Sequence, residues 1–318
     1  MFQDKFTEIP MTISVRAQHS LFVGEISGLE LRDPIDRQTF GEIIQALDTY
    51  AVLVFRDQEL TDEHQIAISS QFGRLETPFG SIRKAKSSRL GSRLVADVSN
   101  LDAGNHIRSA SDTWRKMQLA NRLWHTDSSF KRIPGKISFL SARQLPPAGG
   151  DTEFADLRAA YDALDAVTKE RIEGLVAEHS IFHSRSKTGY TDFTDDERAA
   201  LPPVQRPVVR IHPGSGRKTL YLASHASHIV GWPVKLGRAL LTALIESATQ
   251  PRFVYRHRWQ LNDLVVWDNR CTLHRALPYD DLGHRRDMRR TTVEDTDAEC
   301  IELARRVVLM DRTTASST

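Results

Sequence analysis

The chemistry this sequence could perform is concentrated in a few histidines and carboxylates. His125-Thr126-Asp127 lies inside Leu123-Trp124-His125-Thr126-Asp127-Ser128-Ser129-Phe130. In an extended chain, residues two apart point to one face, so an imidazole and a carboxylate would stand side by side. A third ligand must come from elsewhere. His274 is the best candidate, because the apolar run 264–267 ends in a turn and this histidine follows on the way back. Two histidines and one carboxylate form the facial triad of non-haem Fe(II) oxygenases. Three protein ligands on one face of an octahedron leave the opposite face open for a bidentate 2-oxo acid and O2. Neutral imidazoles and a single carboxylate leave net positive charge on the ion, which favours an anionic cosubstrate. His-x-Asp alone is weak evidence in a chain with 12 histidines. Its plainer reading is a strand-end histidine bonded to a nearby carboxylate.

A basic segment adds a second strand of argument. Arg285 and Arg289 lie 11 and 15 residues after His274. If that stretch is extended, Arg285, Asp287, Arg289, Thr291 and Val293 share one face. Two guanidiniums facing inward are costly unless carboxylates meet them. Taken alone, Arg285-Arg286-Asp287-Met288-Arg289-Arg290 reads as a solvated basic run.

The elements that must position these groups follow from hydrophobic spacing. Apolar residues recur with helical period over 38–48, 62–72, 156–164 and 234–248. Thr61 is placed to cap the second of these and Gly73 to stop it. Apolar runs at 51–55, 136–140, 208–211, 218–222, 253–259, 264–267 and 289–293 read as strands separated by turn signals. The excess of strands in the second half predicts a mainly β fold, a sandwich with helices packed outside it. No GxGxxG or GxxxxGK[ST] loop supports a nucleotide-binding unit. The segment 82–94, rich in Lys, Arg, Ser and Gly, reads as a long exposed loop. His257, flanked by Arg256 and Arg258, reads as part of a solvated face.

Composition narrows the classes. The 318 residues carry 43 Lys plus Arg against 41 Asp plus Glu, a formal charge of +2. So near-neutral a balance argues against nucleic acid as a partner. Two cysteines, Cys271 and Cys300, are too few for a disulfide scaffold. No stretch approaches the ~20 apolar residues of a membrane span, and the N-terminal residues lack the pattern of a secretory signal. A cytoplasmic protein is expected. Residues 1–12 read as an N-terminal arm, 13–296 as one domain and 297–318 as a tail.

Longer stretches carry a resemblance. Besides Trp124 to Phe130, these are Pro146-Pro147-Ala148-Gly149-Gly150-Asp151-Thr152-Glu153-Phe154, His225-Ala226-Ser227-His228, Val254-Tyr255-Arg256-His257-Arg258-Trp259, and Trp267-Asp268-Asn269-Arg270-Cys271 with the following His274-Arg275. With them, most of the chain from about Val52 to Thr292 resembles the taurine dioxygenase/2,4-dichlorophenoxyacetate dioxygenase family, closest to its 2,4-dichlorophenoxyacetate branch.

The resemblance implies a double-stranded β-helix, or jelly roll, with helical insertions, and a dioxygenase that uses Fe(II), 2-oxoglutarate and O2. It implies that His125, Asp127 and His274 hold the iron. Thr152 and Arg285 would meet the distal carboxylate of 2-oxoglutarate, and Arg289 would grip the carboxylate of the substrate. Asn121 is a candidate for lining the substrate chamber and His225 for touching substrate. The basic run at 83–86 falls where relatives keep a substrate lid, with Arg83 as the candidate contact. Asp127 stands where related halogenases lack a carboxylate, so hydroxylation is expected. The substrate would be a small carboxylate of aryloxyacetate type, cleaved to a phenol and glyoxylate with formation of succinate and CO2. The alternatives are an aromatic acid, an aryloxypropionate or a sulfonate, or a catalytically silent jelly-roll binding module. The resemblance also suggests a homo-oligomer.

Overall fold

The computed structural model describes residues 12–78 and 89–296. Its centre is a seven-stranded sheet whose neighbours run Ser14–Ala17, Gly24–Ser27, Val52–Phe55, Leu264–Asp268, Gly135–Gln144, Asp287–Glu294 and Ala96–Asp97. All pairs are antiparallel except Gly24–Ser27 with Val52–Phe55. Three strands, Val254–His257, Thr152–Asp156 and Thr272–Ala276, form a smaller sheet. Phe154 of the small sheet packs with Val52, Val54, Leu140, Val265, Trp267 and Met288 of the large one. That shared core makes the two sheets a sandwich, the jelly-roll arrangement expected from the strand pattern.

Helices cover the outer faces. Arg37–Tyr50 starts at Asp36, whose side chain accepts from the Thr39 backbone N–H at 2.9 Å. It buries Ile43, Ala46 and Leu47 against the outward residues of the large sheet, among them Leu53, Phe139 and Val293. Asp62–Ser70 begins with a capping box between Thr61 and His64 and packs on the strand Asp287–Glu294. Val234–Ala248 buries Leu240, Leu241 and Leu244 together with Leu157, Leu220 and Leu273. None of the helices among the described residues is long and apolar enough to cross a membrane.

Several expectations shift. The predicted strand 208–211 is Val209–Ile211, and it is preceded by a strand that the spacing did not predict, Val204–Pro207, in a different sheet. His257 is not on a solvated face: it is fully buried, and its Nε2 bonds Asp263 Oδ2 at 2.9 Å. The expected exposed loop 82–94 is described only from residue 89. There Leu90 is buried, and the Arg89 guanidinium is clamped by Asp97 at 2.7 Å and Asp287 at 2.7 Å. Arg83, nearly all of the N-terminal arm and the whole of the tail lie outside the described residues.

The segment that carries His125 and Asp127 is anchored by the residue between them. The Thr126 hydroxyl lies 3.0 Å from the carbonyls of both Leu222 and Thr272, and it is fully buried. Thr126→Val keeps the shape but leaves those oxygens without that donor. The expected cost is ~1–3 kcal/mol, read as a lower denaturation midpoint with unchanged denaturant dependence.

Candidate active site

The chemistry-bearing segment is not the strand that period-two spacing suggested. His125 makes a single antiparallel bridge to His274, with backbone N–H groups exchanged at 3.0 and 2.9 Å. From Asp127 the chain then turns, with Ser128 at a φ of 56°. The bridge is decisive, because directly paired residues project from the same side of a ladder. It brings the two imidazoles to 4.1 Å between ring centres. Asp127 still points the same way as His125, since Thr126 is anchored on the opposite side. His125 Nε2 lies 3.9 Å from Asp127 Oδ1, and His274 Nε2 lies 3.8 Å from Asp127 Oδ2.

Each of these groups is held in a form that suits a cation. The Nδ1 of His125 lies 2.8 Å from the Leu123 carbonyl. A carbonyl only accepts, so Nδ1 carries the proton and Nε2 keeps its lone pair toward the site. Burial pushes the His125 imidazole down to about 4, against the opposing pull of Asp127. Burial likewise holds His274 well below its ordinary value. Burial alone would raise Asp127, but Arg290, the two histidines and the Ser138 hydroxyl outweigh it and hold the carboxyl at about 2. Two neutral imidazoles and an ionised carboxylate therefore converge at neutral pH, a donor set that fits a divalent first-row metal.

Asp127 is steered by a buried relay. Ser138 Oγ donates to its Oδ2 at 2.8 Å, Asn269 Nδ2 donates to Ser138 Oγ at 2.9 Å, and Asn269 Oδ1 accepts the Asp127 N–H at 3.1 Å and the Trp267 indole N–H at 3.0 Å. Asn269 and Ser138 were not singled out from sequence. Another buried cluster, His212, Asp268 and Cys271, has the ligand types for a metal. It is already closed: His212 Nε2 and Arg270 Nη2 lie 3.0 and 2.7 Å from Asp268 Oδ2, and burial raises the Cys271 thiol so that it stays protonated.

The arginines require a correction. Arg285 precedes the strand and is solvent-exposed. Arg289 points to the outer face, where it pairs with Asp287 and lies 3.5 Å from Asp62. The inward face belongs to the residues one position on. Arg290 Nη1 donates to Asp127 Oδ1, and Thr292 Oγ1 meets Ser138 Oγ at 3.2 Å. Arg286 is buried, with Nη2 on the Gly150 carbonyl at 3.0 Å and Nε without a partner. A one-residue offset in a period-two strand moves every side chain to the other face. Thr152 lies on the strand that pairs with His274. Phe154 is opposite His274 and Thr152 is opposite Ala276, so Thr152 and His274 share a face. Thr152 Oγ1 accepts from the Trp259 indole at 3.0 Å, which leaves its own proton to donate.

His125, Asp127 and Arg290 line a cavity of about 1340 Å³. Its apolar wall includes Trp114, Met117, Phe130 and Ile181, and its polar wall includes Asn121, Arg185 and His225. Asn121 and His225 both line this cavity. His225 Nδ1 lies 2.8 Å from Ser184 Oγ, whose proton is committed to the Ile181 carbonyl. His225 is therefore the donor there, and it is neutral because burial holds it well below its usual value. Asn269→Leu should remove the relay onto Asp127 and weaken Mn(II) binding about 10- to 100-fold, measured by titration calorimetry at a temperature where the variant is folded. It should also lower the melting temperature of the metal-free protein, because the Asp127 and Trp267 N–H groups lose their acceptor.

Comparison with known proteins agrees with this geometry. The description "Taurine catabolism dioxygenase TauD, TfdA family" matches residues 14–292. The chain is 46% identical to the alpha-ketoglutarate-dependent 2,4-dichlorophenoxyacetate dioxygenase of Burkholderia sp. (strain RASC), over 89% of this chain and 94% of that one. It is 38% identical to the (S)-phenoxypropionate/alpha-ketoglutarate-dioxygenase of Sphingobium herbicidovorans, over 81% and 87%. The crystal structure of AAD-2 in complex with Mn(II) and N-oxalylglycine superposes with a TM-score of 0.87 at 50% identity, covering 90% of this chain and 99% of that one. The chain belongs to the taurine catabolism dioxygenase TauD/TfdA family and is a dioxygenase dependent on non-haem Fe(II), 2-oxoglutarate and O2.

Proposed function

We propose that the enzyme hydroxylates an aryloxyacetate-type carboxylate next to its ether oxygen. The carrying observation is the chamber itself: a guanidinium, Arg290, beside the metal-ligating cluster, and an aromatic and aliphatic wall around the rest. The named activities of the relatives, on a phenoxyacetate and on a phenoxypropionate, support the same chemistry.

In this reading His125, Asp127 and His274 hold Fe(II). Arg286 and the Thr152 hydroxyl take the distal carboxylate of 2-oxoglutarate. The partnerless, buried Nε of Arg286 and the free hydroxyl proton of Thr152 are the donors such an anion needs. Arg290 takes the substrate carboxylate, which leaves the aryl ring to the apolar wall and sets the carbon between them nearest the ligand cluster. Bound there, Fe(II) with 2-oxoglutarate and O2 supplies the oxidation, in which one oxygen atom enters succinate and the other the substrate. The hydroxylated carbon then bears both a hydroxyl and an ether oxygen. This hemiacetal collapses to a phenol and glyoxylate. Asn121 and His225 are polar groups of the chamber wall within reach of a bound substrate. A cytoplasmic setting is supported by the sparse cysteine use, with Cys271 free, and a homo-oligomer by the family resemblance alone.

The direct test is substrate-coupled succinate release, supplied with Fe(II), 2-oxoglutarate and O2, over a panel of aryloxyacetates, aryloxypropionates, aromatic acids and sulfonates. Phenol and glyoxylate should form in step with succinate from an aryloxyacetate. If only sulfonates trigger turnover, the aryloxyacetate reading fails. Division of labour between the arginines is tested separately. Arg290→Gln should raise the substrate KM about 10- to 100-fold and leave the 2-oxoglutarate KM within about twofold; Arg286→Gln should do the reverse. Arg285→Ala should match the parent in both.

A further inference from the structure

Arg185 lies in the short helix Ile181–Ser186, in a polar stretch that gives no sign of function in the sequence. Its backbone is fixed: the Arg185 carbonyl accepts from the N–H groups of Thr188 and Tyr190, both at 3.1 Å, and from the Thr188 hydroxyl at 3.0 Å. Its side chain lines the same cavity as His125, Asp127 and Arg290. The residue is only 9% exposed, yet no carboxylate lies within ion-pair distance of it among the described residues. Nε has no hydrogen-bond partner. Nη2 has one neutral partner, Asn121 Oδ1, at 3.4 Å. Burying a guanidinium without a counter-charge is costly; by contrast the buried guanidiniums of Arg158 and Arg270 meet Asp156 and Asp268, and that of Arg206 lies on the Ser129 and Arg132 carbonyls.

The neutral contact orients the group. Asn121 Nδ2 donates to Gln118 Oε1 at 2.8 Å, and Gln118 Nε2 donates to the Asp97 carbonyl at 3.2 Å. That chain of amides fixes which end of Asn121 faces Arg185 and leaves the remaining guanidinium donors for the chamber. We propose that Arg185 is a second anion-binding residue of the substrate chamber, which shares the head group of the substrate with Arg290 and is positioned by Asn121. Burial, with Arg290 nearby, lowers the guanidinium to about 10, so it remains charged at neutral pH. The proposal rests on the reading that the chamber takes an organic anion, and it deepens that reading by assigning two cations to one head group. A head group with two or three equivalent oxygens, a carboxylate or a sulfonate, can use both; a neutral amide cannot.

The experiment uses whichever anion of the panel couples to succinate release, so a failed aryloxyacetate reading leaves it intact. Arg185→Gln and Arg185→Lys are compared with the parent for substrate KM, 2-oxoglutarate KM and kcat. Equilibrium binding of the anion and of its primary amide is measured without O2 on protein loaded with Mn(II) and 2-oxoglutarate. In Arg185→Gln the substrate KM should rise about tenfold or more while the 2-oxoglutarate KM stays within about twofold. Anion binding should weaken by a similar factor and amide binding should not change. Arg185→Lys, which keeps charge but loses the planar fork, should fall between. Equal weakening of anion and amide, or a rise in both KM values together, would mean that Arg185 only packs the wall and would overturn the proposal. So would an unchanged substrate KM. Should Arg185→Gln fail to fold, Arg185→Lys decides by the same anion-against-amide comparison.

Discussion

The active site depends on one backbone bridge. His125 and His274 are 149 positions apart, and no regular sheet connects the segment of the first to the strand of the second. Two exchanged N–H groups at 3.0 and 2.9 Å do so. Because the two residues are directly opposed, their side chains must leave on the same side. Everything else in the triad follows from holding that bridge in place: Thr126 pins the segment from behind, and the Asn269 and Ser138 relay aims Asp127 from below. The strand 264–268, buried on both faces between Val52–Phe55 and Gly135–Gln144, provides the rigid end from which Asn269 and His274 extend. A site built this way tolerates variation in the outer helices, because none of its ligating groups is carried by them.

What could be read from the sequence depended on whether one physical signal acted alone. Val234–Ala248 was legible to the residue because its apolar stripe faces one core and its other side faces water. His125, Asp127 and His274 were legible because their chemistry is rare in combination, even though the segment is a bridge and a turn rather than a strand. The strand Asp287–Glu294 was misread in its parity. It is covered on both sides, by the helix Asp62–Ser70 outside and by the sandwich core inside, so Val293 and Met288 are both buried although they face opposite ways. Alternation therefore offered two consistent answers, and the even spacing of Arg285 and Arg289 matched the wrong one. Met288 was the available clue, since Arg286 and Arg290 lie two positions either side of it. Arg185 gave no signal at all: its significance is the lack of an acidic partner in space, which no local pattern encodes.

The charges around the chamber suit it to anions. The histidines contribute none at neutral pH, because burial keeps them unprotonated. Asp127 is the ionised acid within the triad, and a divalent ion on it leaves the local balance positive. Arg290 adds to that excess from the same cavity, and Arg286 adds to it from beside Gly150. Charge of one sign gathered beside an apolar wall is unfavourable until ligands neutralise it. A dicarboxylate and a monoanionic substrate answer the need together. Each is drawn by charge already fixed in the protein, and because both are anions neither improves the site electrostatically for the other. The apolar wall of Trp114, Met117, Phe130 and Ile181 then decides between anions of equal charge: a compact one such as acetate gains the guanidinium contact alone, whereas an aryl tail also removes apolar surface from water, at roughly 25 cal/mol per Å². In the proposed binding mode head group and tail carry separable parts of the recognition, with the reactive carbon at the point where they join.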